Sequence, residues 1–311
     1  MAIVQSLRYF SGMMRAFILL ALIAAAPATD DLLALDARVA DVSYRIAVRN
    51  TALCDRTVPM TGIMVHSLAQ YGPAERPIAA QAYGLGSRPV LLAVAKGSPA
   101  EASGLKAGDQ LIAVDGAVQS VLLTPKPSVD AVIAVRQALD KALAKGAARL
   151  TIRQGQGQGQ GGALRDVTVM GVKGCASLVE QIPSSKLFAE AQDGVVTISS
   201  AVVSFTRSDD ELAFVVAHEM AHLILAHPAR LDIIGRNRAN IRATEIEADK
   251  FAIRLMQGAG YDLAAAPAFW RRFGKRTGYG IFSDGTHLRT KARVQLLQDE
   301  IAIVTAGHPA Q

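Results

Sequence analysis

Apolar residues recur at helical steps in several stretches of the chain. Leu35, Val39, Val42 and Ile46 follow Thr29-Asp30 at intervals of three or four, which predicts one amphipathic helix within residues 30–53. Val132, Val135, Leu139 and Leu143 do the same from 129 to 145, behind Ser128 as a cap. After Ser208-Asp-Asp-Glu211, which reads as a capping box, Leu212, Val215, Val216, Ala217, Leu223 and Ile224 are apolar nearly all round, with Pro228 as the stop. Such a helix is buried. Arg242 to Ala252 reads as another helix, closed by Gly258 and Gly260. Strands are expected at 89–95, 149–153 and 164–170, and on both sides of an Asp193-Gly194 turn. Between two of them, Gln154 to Gly162 is a flexible connector without chemistry of its own.

The buried helix carries His218, Glu219 and His222 in H-E-x-x-H spacing, and polar groups in an apolar helix need a reason. Residues four apart lie one turn above each other, so both imidazoles can face one metal ion. Glu219 then sits beside the metal, where it can take the proton of a water as a general base. A catalytic zinc site needs a third protein ligand and an open position. On the following helix, Glu245 and Asp249 share a face while Glu247 points elsewhere.

This pattern, H-E-x-x-H followed by E-x-E-A-D, resembles the zinc endopeptidases of the CAAX-prenyl-protease and HtpX type, a gluzincin family. The resemblance implies zinc held by His218, His222 and Glu245, with Asp249 orienting the ligands. It extends upstream to Lys186-Leu-Phe-Ala-Glu-Ala-Gln-Asp-Gly-Val-Val-Thr-Ile-Ser-Ser, where the family has a strand, turn and strand, although Asn-Ala is replaced by Lys186-Leu187. Downstream, Gly285-Thr-His287 through Arg293 is similar to the family's T-H-P and Arg, with Leu288 in place of the Pro. His287 is therefore expected near the metal, facing the developing charge of the transition state or closing the open position, with Arg293 as a second donor or its positioning partner. His227, five residues past His222, falls about 140° round an ideal helix and is set aside. His66 reads as a packed or surface residue.

Residues 77–173 are similar to a bacterial PDZ domain. The match rests on Tyr83-Gly84-Leu85-Gly86, a strand, Gly97-Ser-Pro-Ala through Gly108-Asp109, and Leu111 through Gly116. The resemblance implies that Gly84, Leu85 and Gly86 receive a peptide C-terminus and that the next strand pairs with it. The expected organisation is thus a signal peptide at 1–28, a helical connecting segment at 29–76, PDZ at 77–173 and a zinc metallopeptidase domain at 174–311. The fold class is α+β, an α-rich gluzincin-like domain with a small β-sheet preceded by a β-barrel-like PDZ domain.

Composition narrows the setting. Half of the 311 residues are hydrophobic and 19% are charged, enough for a substantial core. Arg8 and Arg15, an apolar run from Ala16 to Ala25, and Ala26-Pro27-Ala28 have the form of a cleavable secretory signal; retention would leave an anchor at 16–26. Its removal takes two positive charges from a net +6 and leaves +4, and no basic cluster interleaved with aromatics suggests a nucleic-acid partner. Cys54 and Cys175, the two cysteines, are expected to form a disulfide in an exported chain. The expectation is a periplasmic or secreted zinc endopeptidase acting on envelope proteins in quality control, with C-terminal peptides at the PDZ groove and peripheral contact with the membrane left open. The alternative is a catalytically quiet peptide-binding scaffold.

Overall fold

A computed structural model describes residues 29–155, 162–192, 194–277 and 288–306. The signal segment, most of the Gln/Gly connector, Asp193 and His287 lie outside the described residues.

Helix α1 (Thr29–Arg49) ends where Asn50, itself buried, turns its amide onto the Ile46 and Leu255 carbonyls. Leu35, Val39, Val42 and Ile46 form its buried stripe against the larger core. Ala40 and Tyr44, on another face, pack on Ala93 and Ala95. A single helix therefore serves two cores, which the one-sided periodicity does not disclose.

Ala93 and Ala95 belong to a mixed sheet-and-helix unit. Its elements are β1 (Thr57–Met60), β2 (Ile63–His66), α2 (Arg76–Tyr83), β3 (Val90–Val94), α3 (Pro99–Ala102), β4 (Gln110–Val114), β5 (Ala117–Val118), α4 (Asp130–Leu143), β6 (Ala147–Arg153), β7 (Leu164–Met170) and β8 (Val172–Cys175). The strands run β2-β3-β4-β6-β7, with β5 on β4, and α4 lies over them. Val135, Leu139 and Leu143 of α4 meet Leu91, Leu111, Leu150 and Ile152 in a closed core, while Val132 is half-buried. The N-cap position is Val129, which has no capping side chain, and Ser128, one residue earlier, accepts from the Asp130 amide at 3.0 Å in a local turn instead of capping the helix.

Two expectations for this unit change. The sheet begins at Ile63, upstream of residue 77, because β2 pairs antiparallel with β3 from Ile63↔Val94 to His66↔Val90. Strand β3 is flanked by β2 along its length and by β4 at Val90, so among the described residues neither of its sides is wholly open. The open edge belongs to β2, beside α4. Gly84 caps α2 in the left-handed region (φ +63°), and Leu85 is buried with Leu68, Ala79 and Val90, so Gly84, Leu85 and Gly86 do not lead into an open groove strand. His66 is packed, with its Nε2 2.9 Å from the Tyr71 hydroxyl.

Strands β1 and β8 pair with Thr57 opposite Cys175, and the Cys54–Cys175 disulfide closes this neck, with the two Cα atoms 5.6 Å apart. Beyond it come β9 (Leu178–Ile182), β10 (Ala189–Gln192), β11 (Val195–Ser199), α5 (Ser200–Phe205), α6 (Asp209–Ile224), α7 (His227–Ile234), α8 (Arg238–Ala259), α9 (Ala265–Thr277) and α10 (Thr290–Ala306). The small sheet runs β10-β11-β9, leaving β10 as an edge alongside α6. Helix α6 is apolar all round because α1, α8, α9 and this sheet enclose it.

Only half of the capping box at Ser208 forms. Ser208 Oγ accepts from the Glu211 amide at 3.3 Å, but the Glu211 carboxylate takes the Arg207 amide and the Arg272 guanidinium instead of reaching back to Ser208. At the other end α6 stops at Ile224, and Ala226 takes a left-handed conformation (φ +51°). Pro228 sits in the first turn of α7, starting that helix, which leaves α6 at a bend of 51°. Helix α8 runs through Gly258 and ends at Gly260 (φ +71°). Among the described residues no single helix is long and apolar enough to cross a membrane.

Candidate metal centre

Helices α6 and α8 bring three ligand side chains to one point. His218 Nε2 and His222 Nε2 are 3.3 Å apart, and the Glu245 carboxylate stands 3.4 Å from the first and 3.5 Å from the second. Two donors on a tetrahedral zinc, at about 2.0–2.1 Å each, stand about 3.3–3.4 Å apart. The separation of the two imidazole nitrogens suits one small tetrahedral cation, a different oxygen of Glu245 faces each of them, and the mixed nitrogen and carboxylate set is of the type zinc accepts.

The remaining ring nitrogens are also engaged. His218 Nδ1 lies 3.0 Å from Asp249 Oδ1, and Arg293 clamps that carboxylate with two contacts of 2.6 Å. The guanidinium lies over the Trp270 ring at 3.8 Å, and Arg293 and Asp249 are 4% and 1% exposed. Arg293 is therefore not a surface ion-pair residue. It holds the acid that holds His218. With its Nη2 also 3.3 Å from His218 Nδ1, it belongs to the support of this side chain; its expected pairing with His287 lies outside the described residues.

His222 is supported by a residue that helical extrapolation discards. His227 is wholly buried, and its Nδ1 lies 3.0 Å from His222 Nδ1 with the rings edge to face. Glu247 stands behind it, 3.4 Å from His227 Nε2 and 2.5 Å from Arg230 Nη2. The left-handed Ala226 is what turns the chain so that His227 points back at the site.

Electrostatics separates the groups. Burial alone would lower the His218 pKa, but the Asp249 and Glu245 carboxylates outweigh it and push it up to about 10. Burial and the neighbouring His218 depress His222 to about 3, so its imidazole is neutral. Glu219 is pushed up to about 7, first by burial and, among its neighbours, by the Glu245 charge. Asp249 stays low: burial opposes ionisation, but Arg293 and His218 prevail. A cation at the three ligands adds to the field that favours ionised Glu219.

The structure therefore brings together His218, Glu219, His222, Glu245, Asp249 and Arg293, and leaves Gly84, Leu85 and Gly86 on the separate sheet unit. A proton-accepting carboxylate next to three convergent ligands is an arrangement suited to hydrolysis. Residues 175–283 match the model of a peptidase family, Peptidase U49, a span that takes in the three ligands, Glu219 and Asp249 but not His287 or Arg293. No curated protein matches the chain.

Proposed function

We propose that the chain is a zinc-dependent endopeptidase, similar in its site to the CAAX-prenyl-protease and HtpX type. The observation that carries this reading is the convergence of two imidazoles and one carboxylate, with buried Glu219 close enough to feel the charges of His218 and Glu245. Zinc held there supplies Lewis acidity, polarising a carbonyl and making water nucleophilic near neutral pH. The chain's own residues do the rest. His218, His222 and Glu245 would hold the ion, and Asp249 and His227 fix the two rings. The Glu219 carboxylate accepts a proton from the attacking water and returns it to the nitrogen of the leaving amine. The open edge of β10, which runs beside α6, suits an extended peptide bound by strand pairing.

The sheet unit, with its PDZ-like order of glycine turns, strands and α4, serves in this reading to recruit or gate substrates. Its free β2 edge is the place for a peptide, which moves that role away from β3 and the Gly84 loop. The disulfide suits an oxidising compartment, in keeping with export to the periplasm and substrates among envelope proteins.

Glu219→Gln tests the catalytic assignment. Cleavage of a denatured protein should fall by about 10² to 10⁴, the span that general acid–base groups contribute, while bound zinc stays near one per chain. Retained cleavage in the Gln variant would remove Glu219 from the mechanism, and a wild-type chain that takes up no zinc would remove the metal.

A further inference from the structure

We infer that His227 is a positioning residue for His222, fixing the tautomer that presents His222 Nε2 to the metal, with Glu247 and Arg230 completing the support. The inference rests on the metal reading above, and reaches residues outside the ligand set.

The argument is one of donors and acceptors. A ligating Nε2 must offer a lone pair, so the proton of a neutral His222 is on Nδ1. That Nδ1 faces His227 Nδ1 at 3.0 Å, and two ring nitrogens at this distance need one donor and one acceptor. His227 Nδ1 must then accept, which puts the His227 proton on Nε2. There it meets Glu247 Oε2 at 3.4 Å, a charge contact without hydrogen-bond alignment, and Arg230 holds that same oxygen. Each proton position follows from the one before it.

Packing alone does not explain the residue. His227 is fully buried, and an apolar side chain would fill the space without burying a nitrogen that lacks an aligned partner. The backbone is also held at a disfavoured conformation to aim it, since Ala226 at φ +51° has no glycine to ease the turn. In place of the acid commonly found behind a metal-bound imidazole, a second imidazole relays the contact to the carboxylate.

The full chain from residue 29 onward, titrated with zinc against a chromophoric chelator, gives the test. His227→Phe should weaken zinc binding about 10- to 100-fold, as loss of outer-shell partners does elsewhere. His227→Gln should restore most of it, because its amide oxygen can still accept from His222 Nδ1. Nitrogen NMR of the imidazoles in the metal-free protein should report His222 as the Nδ1-protonated form in wild type and the Gln variant, and a tautomer mixture in the Phe variant. Unchanged affinity and spectrum in His227→Phe, or equal losses in Phe and Gln, would overturn the role. If the Phe variant does not fold, Glu247→Ala decides: a disturbed His222 tautomer supports the relay, and an undisturbed one rejects it. A chain that binds zinc in this pattern yet cleaves nothing removes the peptidase reading and leaves the positioning role standing; one that binds no zinc removes both.

Discussion

The two histidines of the proposed metal site are supported by the same kinds of group in very different surroundings. Behind His218, Asp249 and Arg293 form a closed pair in the core, roofed by Trp270. Behind His222 an extra imidazole intervenes, and the acid and arginine that follow, Glu247 and Arg230, are 44% and 38% exposed in their side chains. The lesson is that a carboxylate–arginine pair has no fixed worth. In the core each partner depends on the other, since water cannot replace it, whereas at the surface solvent screens both.

The largest effect should come from breaking the inner pair. Asp249→Asn leaves Arg293 buried and uncompensated and should destabilise the fold by about 3–5 kcal/mol, read from urea unfolding of the metal-free protein. A loss under about 1 kcal/mol, the range of a surface pair, would erase the distinction between the two sides.

Asp36 on α1 sharpens the point from the opposite direction, being an acid whose titration is shifted by burial with no cation behind it among the described residues. It is 3% exposed, one carboxyl oxygen lacks a partner among the described residues, and burial pushes its pKa up to about 7 from 3.8. A carboxyl whose pKa is raised on folding is least costly below its unfolded value and loses stability as pH climbs to the folded one. Stability should therefore decline between about pH 4 and pH 7 by on the order of 4 kcal/mol from this group, and level off above. Asp36→Asn should flatten that slope and match wild type near pH 4. Thermal unfolding across this range checks it, and an unchanged slope in the Asn variant refutes it.

The smallest effect should be on the outer side. Arg230→Ala should cost no more than about 1 kcal/mol in unfolding. A loss as large as that of Asp249→Asn would mean that Glu247 and His227 are part of the core's electrostatics after all.

The inner side was readable in the sequence because its parts obey helical arithmetic. His218 and His222, and Glu245 and Asp249, are each four apart on continuous helices, so their common faces follow from 3.6 residues per turn. His227 escaped for the same reason. Projecting α6 onward puts it about 140° from His222, but α6 has ended by then and the chain has bent by 51° through Ala226. A non-glycine residue in the left-handed region leaves no reliable mark in a sequence. Arg293 was picked out by the resemblance, yet its partner Asp249 lies 44 residues away, and only packing could reveal that. The β2 edge was missed on similar grounds: four residues carry little periodicity, and their pairing with β3 spans the whole of α2.

The neck at Cys54 and Cys175 has a mechanical meaning. The chain leaves the helical half and returns to it at one covalent point, with 121 residues of separation between the two cysteines. Tension applied between the two ends of the protein passes through the disulfide and bypasses the sheet unit altogether. Pulled as a single molecule, the oxidised protein should lengthen only by its helical half; reduction should release a further contour of roughly 400 Å, at about 3.4 Å per residue. The sheet unit is thus shielded from a load that would unravel the helices around the proposed metal site.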